Sequence, residues 1–263
     1  MPELSVIIPC CNEERNIGDC LKSVAWADEI LVVDSFSTDR TVEIARSLGA
    51  QVLQHEYESP GAQKNWALGH AKHSWVLFLD ADERVTRGLE QEIREVIARD
   101  GPRDGYWIRR RNYFLGKRIR FSGWQHDRVL RLFRRERGRW DERRVHESAV
   151  LDGRAGKLRC PLLHYSYRSA HDFLVKIERY GDWASADLVA AGKRAGVRGL
   201  LFRPWFRFFY SYFLRGGFLD GKQGLVLCMF QAFGVFYKYA RLFEMRLGEE
   251  KQGTEGASRE GRE

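Results

Sequence analysis

The sequence predicts an α/β fold: a mostly parallel sheet with helices, followed by a helical, amphipathic C-terminal extension. Three observations predict it. In the first hundred residues, short β-branched apolar runs alternate with helix-like segments. Each run is apolar on both faces, as strands covered on both sides require. From Ala170 onward, apolar residues recur at three-to-four spacing and aromatics become frequent.

The elements follow in order. "LSVIIP" reads as the first buried strand, and Glu13 to Val24 as a helix with Ile17, Cys20, Leu21 and Val24 on one face. "EILVVD" is the second strand. "STDRTVEIARSLG" is the second helix, with Ser37 or Thr38 as N-cap and Gly49 as its stop. "AQVLQH" is the third strand, "SPGAQKNWALGHA" a loop feeding a helix, and "WVLFLD" the fourth strand. Thr86 to Arg99 is an amphipathic helix. In the middle third, "YWIRRRNYFLGKRIRF", "DRVLRLFRR", "RVHESAVL" and "PLLHYSY" have strand character and are expected to extend the sheet.

The 263 residues, 44% hydrophobic, suffice for one generous domain with an appendage. The net charge of +8 is uneven: residues 103–144 hold 15 Lys/Arg against 5 Asp/Glu. Such a segment suits an anionic partner or a solvated basic face. Five irregularly spaced cysteines argue against a disulfide framework or a structural zinc site and fit a reducing compartment. The N-terminus lacks the pattern of a signal peptide, and no uninterrupted apolar run reaches spanning length.

In open parallel sheets, ligands bind beyond the carboxyl ends of the strands. Here those ends carry Pro9-Cys10-Cys11-Asn12-Glu13, Asp34-Ser35-Phe36-Ser37 and Asp80-Ala81-Asp82-Glu83. Three carboxylates within four positions repel one another unless positive charge sits among them. Asp80 and Asp82 together suit a hard cation, Mg²⁺ or Mn²⁺, that also takes substrate phosphate oxygens. Glu83 is expected either to salt-bridge an arginine or to start the next helix.

Four segments in order, "SVIIPCCNEERNI", "VVDSFSTDRT", "AQKNWAL" and "LFLDADE", resemble the nucleotide-sugar half of glycosyltransferase family 2, over about residues 4 to 100. The later "RLFRR", "VHES" and "LLHYSY" are similar to the branch with lipopolysaccharide inner-core β-glucosyltransferases. The resemblance implies a GT-A fold, a Rossmann-like nucleotide-binding and mostly parallel sheet. It implies that Pro9, Asn12 and Glu13 line the nucleotide and that Asp34 hydrogen-bonds the base, typically uracil. Gln63, Lys64 and Asn65 fall where the family often has an Arg-Asn pair near the nucleotide. Asp80 and Asp82 match the metal motif, Asp82 as the more direct ligand, and His164 matches a late metal ligand or a satisfied core residue.

The expected activity is inverting, metal-dependent transfer from a UDP-sugar, UDP-glucose first, to a membrane-linked glycan such as the lipopolysaccharide inner core. Glu147 is the first candidate for the base that deprotonates the acceptor hydroxyl, and Asp127 the second. Arg128, Arg131 and Arg134 have the shape for diphosphate contacts. Trp124 and Trp140 suit sugar stacking or the core. A nucleic-acid-binding protein using the 103–144 arginines is the alternative from another class, but the acidic rim argues against it, and no nucleic acid is expected. A nucleotidyltransferase would need a glycine-rich loop that "PCCNEERN" lacks.

The expected organisation is a transferase domain over 1–168, divided at residue 100 into nucleotide-sugar and acceptor halves. A helical extension over 169–248 and a disordered tail over 249–263 follow. Residues 198–246, with Arg and Lys flanking Trp, Tyr and Phe, fit peripheral contact with the inner face of the plasma membrane from the cytoplasm. A packed helical pair or an oligomer is the other use of that surface.

Overall fold

The computed structural model describes residues 3–99, 101–141 and 148–260, with side chains as far as residue 248. It comprises two compact units: residues 1–113 with 126–166, and residues 114–125 with 167–263. The first alternates strands and helices as β1 (Leu4–Cys10), α1 (Ile17–Ser23), β2 (Glu29–Asp34), α2 (Thr41–Ser47), β3 (Gln51–Gln54), α3 (Pro60–Leu68) and β4 (Trp75–Phe78). After these come β5 (Glu83–Val85), α4 (Arg87–Ala98), β6 (Gly105–Phe114), β7 (Lys117–Arg118, in the second unit), β8 (Arg128–Arg134), β9 (Gly138–Trp140), β10 (Ala149–Leu151), β11 (Ala155–Lys157) and β12 (Leu162–Tyr167).

The main path of the sheet runs β3-β2-β1-β4-β8-β6-β12-β5. β3, β2, β1 and β4 are mutually parallel, and β8 is antiparallel to both β4 and β6. Alternate residues of the parallel strands fill opposite faces, following the two-residue period of a strand. Val6, Ile8, Val32, Leu77 and Leu79 pack with Ile17, Cys20 and Leu21 of α1 and Leu89, Ile93 and Ile97 of α4. Ile7, Leu31, Val33, Val76 and Phe78 pack on the other face with Ala67 and Trp140. The register pairs Cys10 with Asp34 and Ile7 with Phe78, so the polar ends of β1, β2 and β4 lie along one rim. The chain crosses from β3 back over β1 to β4, which places the β1–β4 junction at the topological switch where such sheets bind ligands.

Two local expectations differ from the structure. α2 begins at Thr41, after Arg40 rather than after Ser37 or Thr38. Those two residues instead close the rim: the Ser37 hydroxyl donates to Asp34, and the Thr38 N–H donates to Asn12 Oδ1 at 2.8 Å. α1 starts at Ile17 because Glu13 to Asn16 form a turn in which Glu13 O accepts from both Asn16 N and Ile17 N.

The second unit contains α5 (Ala170–Ala190), α6 (Arg203–Phe209) and α7 (Gly221–Glu260), with π-helical turns on either side of α6. A capping box between Ser169 and Asp172 starts α5. Segment 114–125 belongs with these helices. The buried Asp220 carboxylate accepts from the N–H groups of Arg120 and Phe121 at 3.0 and 2.9 Å, and Phe114 packs with Phe173, Leu227 and Phe230. α7 continues as helix to Glu260, beyond residue 248, where the sequence predicts a disordered tail. Glu249, Glu250, Lys251 and Gln252 have high helix propensity, which continues the helix. Among the described residues, no helix is long and apolar enough to cross a membrane.

Candidate active site

The rim is built around the segment that follows β4. The chain turns at Asp80–Asp82 and continues as β5, which pairs with β12, with Glu83 N donating to Asp80 O at 2.9 Å. Glu83 has no solvent exposure. Its Oε2 accepts from the Asp80 N–H at 2.9 Å, and its Oε1 lies 3.2 Å from Arg131 Nη2 and 3.5 Å from Arg110 Nη1. Of the two roles expected for Glu83, the salt bridge is the one it takes. Thr86, three residues on, is the N-cap of α4.

Arg131 is buried and also donates to Asp80 Oδ2. Lys64 Nζ lies 4.0 Å from Asp80 Oδ1 and 4.2 Å above the Trp140 ring. Burial raises the Asp80 pKa, but the charges of Arg131, Lys64 and Arg110 outweigh it and hold the carboxyl well below the usual carboxylate range. Burial acts against the Arg131 charge too, yet Asp80 and Glu83 push its pKa up. The crowd of acids is therefore threaded with cations. Arg131, expected at a diphosphate, is occupied with the strand-end carboxylates, whereas Arg128 is exposed at the start of β8.

Asp82 faces elsewhere. Antiparallel pairing of β12 with β5 sets His164 opposite Glu83, and Tyr165 N donates to Asp82 O at 2.9 Å. His164 Nε2 then lies 3.6 Å from Asp82 Oδ1. The orientation of the ring follows from a chain of hydrogen bonds. Arg110 grips Asp127 with Nε and Nη2 at 2.9 and 3.0 Å, and Asp127 Oδ2 accepts from Asn112 Nδ2 at 2.9 Å. That donor assignment turns Asn112 Oδ1, which can only accept, to His164 Nδ1 at 2.7 Å. In the neutral ring this places the proton on Nδ1 and leaves Nε2 with its lone pair toward Asp82; the Ser166 hydroxyl lies 3.0 Å from Nδ1 and 3.3 Å from Nε2. A lone pair and a carboxylate facing one another at this distance make a fitting pair of donors for a divalent cation.

The other expected residues are accounted for as follows. Asp34 is buried; its carboxylate accepts from Ser37 N at 3.0 Å and Gln54 Nε2 at 3.2 Å. Asn12, with φ of 56°, joins the β1 and β2 ends, and its N–H donates to Ser37 Oγ at 2.8 Å. Glu13 N donates to Thr41 Oγ1 at 2.8 Å, and Pro9 is half-buried in β1. Gln63 donates to Ser35 Oγ, beneath the end of β2. Asn65 exchanges two hydrogen bonds with the Trp140 backbone at 2.8 and 2.9 Å. Trp140 itself packs against Phe78, so it is a core residue. Burial raises the Asp127 pKa, but Arg110 and Asn112 outweigh it and lower the value overall, which makes Asp127 a weak base. Glu147 lies outside the described residues. The sequence reading missed Arg110 and Asn112. Their signal was positional: in β6 they alternate with buried Tyr106, Ile108 and Phe114 and so share the covered face.

The sequence profile of Glycosyl transferase family 2 matches residues 5–150, more than half of the chain and all of the rim described above except its β12 residues, His164, Tyr165 and Ser166. The chain belongs to glycosyl transferase family 2. This glycosyltransferase is 31% identical to the lipopolysaccharide core biosynthesis glycosyltransferase LpsC of Rhizobium meliloti (strain 1021), over 92% of each chain. An uncharacterized glycosyltransferase of Rickettsia typhi (strain ATCC VR-144 / Wilmington) is 30% identical, over 94% of this chain and 89% of its own. Among solved structures, Staphylococcus aureus TarS 1–349 in complex with UDP-GlcNAc aligns over 94% of this chain and 92% of that one, with 17% identity and a TM-score of 0.49. Family membership and the mostly parallel sheet make the fold of the glycosyltransferase GT-A-like, with C-terminal helices added.

Glu83→Ala removes the shared anion and leaves two guanidinium groups facing each other. Denaturant unfolding is expected to show a loss of about 3–5 kcal/mol. A loss below about 1 kcal/mol would show that the acid does not organise the rim.

Proposed function

We propose that the glycosyltransferase performs inverting, metal-dependent transfer of a sugar from a UDP-sugar, UDP-glucose first, to a membrane-linked glycan of the lipopolysaccharide inner-core type. The observation that carries this reading is the Asp82–His164 pair, with His164 Nε2 3.6 Å from the Asp82 carboxylate beyond the end of β4. Mg²⁺ or Mn²⁺ suits these donors, since such ions bind through one or two protein groups and complete their shell with water and substrate phosphate. When bound there, the ion supplies charge neutralisation for the departing diphosphate.

The chain's own residues do the rest. Asp82 and His164 would hold the ion, and Asp80, fixed by Arg131, would stand beside it near the nucleotide. Asp34 and Asn12 shape the end of the sheet where the base is expected. The base, for which Glu147 is the first candidate, takes the proton of the acceptor hydroxyl as that oxygen attacks the anomeric carbon. The bond from the anomeric carbon to the diphosphate oxygen breaks on the opposite face, and UDP leaves with that electron pair. Asp127 is the weaker candidate because Arg110 and Asn112 already engage both its oxygens.

The acceptor class is supported by the name of the Rhizobium meliloti relative and by the exposed aromatic surface over 198–219. Phe202, Trp205, Phe206 and Phe213 are each at least half exposed, which fits peripheral attachment at the cytoplasmic face of a membrane. Arg110 and Arg131 turn inward to the acids, which withdraws them from any outward basic face for nucleic acid.

Asp82→Ala is expected to lower metal-dependent transfer at least 100-fold with unchanged circular dichroism. Wild-type turnover by the folded variant would remove Asp82 from the metal site. For the base, Glu147→Gln is expected to bind UDP-sugar as the wild type does and to turn over at least 100-fold more slowly. Unchanged turnover would move the role to another residue.

A further inference from the structure

Within the helical unit, α6 and α7 border an open, shallow cleft of about 300 Å³. Arg203, Phe206, Arg207 and Tyr210 line one side, at the spacing of a single helix face, and Lys238 and Tyr239 line the other. The lining holds three cations and two phenol groups and no carboxylate. Arg203 donates to the Tyr239 hydroxyl and lies 5.1 Å above that ring; Lys238 Nζ is 5.0 Å from the same ring. Burial, and then the Arg203 charge, push the Lys238 ammonium pKa down. Arg241, one turn on, takes Asp182 and Glu244 instead, so those acids are committed elsewhere. Like charges held together in this way await an anion.

The rim of the cleft has the opposite character. Phe202, Trp205 and Phe206 are 62–69% exposed, and Trp205, Phe209 and Phe213 stack at four-residue spacing with ring centroids 5.9 and 5.0 Å apart. A free phosphate or a nucleic acid would leave these rings in water. A lipid headgroup would set the cleft at the phosphate level and the rings at the acyl boundary. We propose that the α6–α7 cleft binds the phosphate of an anionic membrane phospholipid, with Arg203, Arg207 and Lys238 as its cationic donors. Guanidinium forks and an ammonium together match the several acceptor oxygens of a phosphate better than a single carboxylate.

This inference rests on the membrane-contact reading, and the experiment separates the two. The full-length chain is sedimented with vesicles of phosphatidylcholine alone, of phosphatidylcholine with phosphatidylglycerol, and of phosphatidylcholine with cholesteryl hemisuccinate at matched charge. Wild-type protein is expected to bind the phosphatidylglycerol vesicles at least tenfold more tightly than either other kind. Arg207→Gln with Lys238→Gln should abolish that preference, and Arg207→Lys should retain most of it. Both positions are solvent-accessible, so the variants should keep the wild-type circular dichroism.

Phosphatidylglycerol binding that is unchanged in the double variant but lost in Trp205→Ser with Phe206→Ser would overturn the cleft and leave the membrane reading standing. Equal binding to phosphatidylglycerol and hemisuccinate vesicles would likewise overturn phosphate recognition. No binding to any vesicle would overturn both.

Discussion

Glu83 is a carboxylate without solvent exposure, held between the guanidinium groups of Arg110 and Arg131 and the N–H of Asp80. Much of the rim is arranged around this one ion cluster. Arg131 passes the charge to Asp80, and Arg110 passes it through Asp127 to Asn112 and from there to the His164 ring. A buried ion group of this kind costs desolvation and adds little net stability, but it fixes geometry. Here it fixes which atom of which side chain faces the end of β4. Of the three acids in the turn, Glu83 and Asp80 are balanced by arginine and lysine, and Asp82 is turned to an imidazole. The three neighbouring acids thus take different partners: Glu83 and Asp80 the cations, Asp82 the imidazole.

The two depressed carboxylates, Asp80 and Asp127, are part of the same logic. Each has a folded pKa below its unfolded one. Their contribution to stability is therefore complete above the ordinary carboxylate range and is lost as the pH falls toward the folded values. At neutral pH Asp80 and Asp127 are ionised, and the hydrogen bond to Asp127 that orients Asn112 is in place. Because β5 pairs with β12, the residue that meets Asp82 comes from more than eighty positions later in the chain, yet strand register alone sets it there.

The parallel half of the sheet was legible because each strand is short, apolar on both faces and closed by polar residues. The positions of Asp34, Asn12 and Asp80 on a common rim followed from that topology. What could not be read was direction. Arg131 and Arg128 look alike in "DRVLRLFRR", but Arg131 lies within a run of β8 that is buried on both faces and Arg128 at its exposed start. Arg110 and Asn112 sit in an arginine-rich run whose composition suggests a solvated face, and their hydrogen bonds to Asp127 show them turned inward. Trp140 was ambiguous between sugar stacking and core, since an aromatic at a strand end fits both; the contacts with Phe78 and Lys64 decide for the core. Gly49, at φ of 81°, ends α2 as the sequence predicts, but the N-cap falls later than predicted because Ser37 and Thr38 are engaged by Asp34 and Asn12.

The central claim is that this network presents the His164 Nε2 lone pair to Asp82 as a site for a divalent cation. Two-bond ¹H–¹⁵N NMR of the histidine rings tests it most directly, with the His164 signals assigned by their loss in His164→Gln. The account predicts a neutral ring protonated on Nδ1, with signals that Mn²⁺ broadens at stoichiometric concentration and that stay sharp in Asp82→Ala. A ring protonated on both nitrogens at neutral pH, or on Nε2 alone, would contradict it, as would signals indifferent to Mn²⁺.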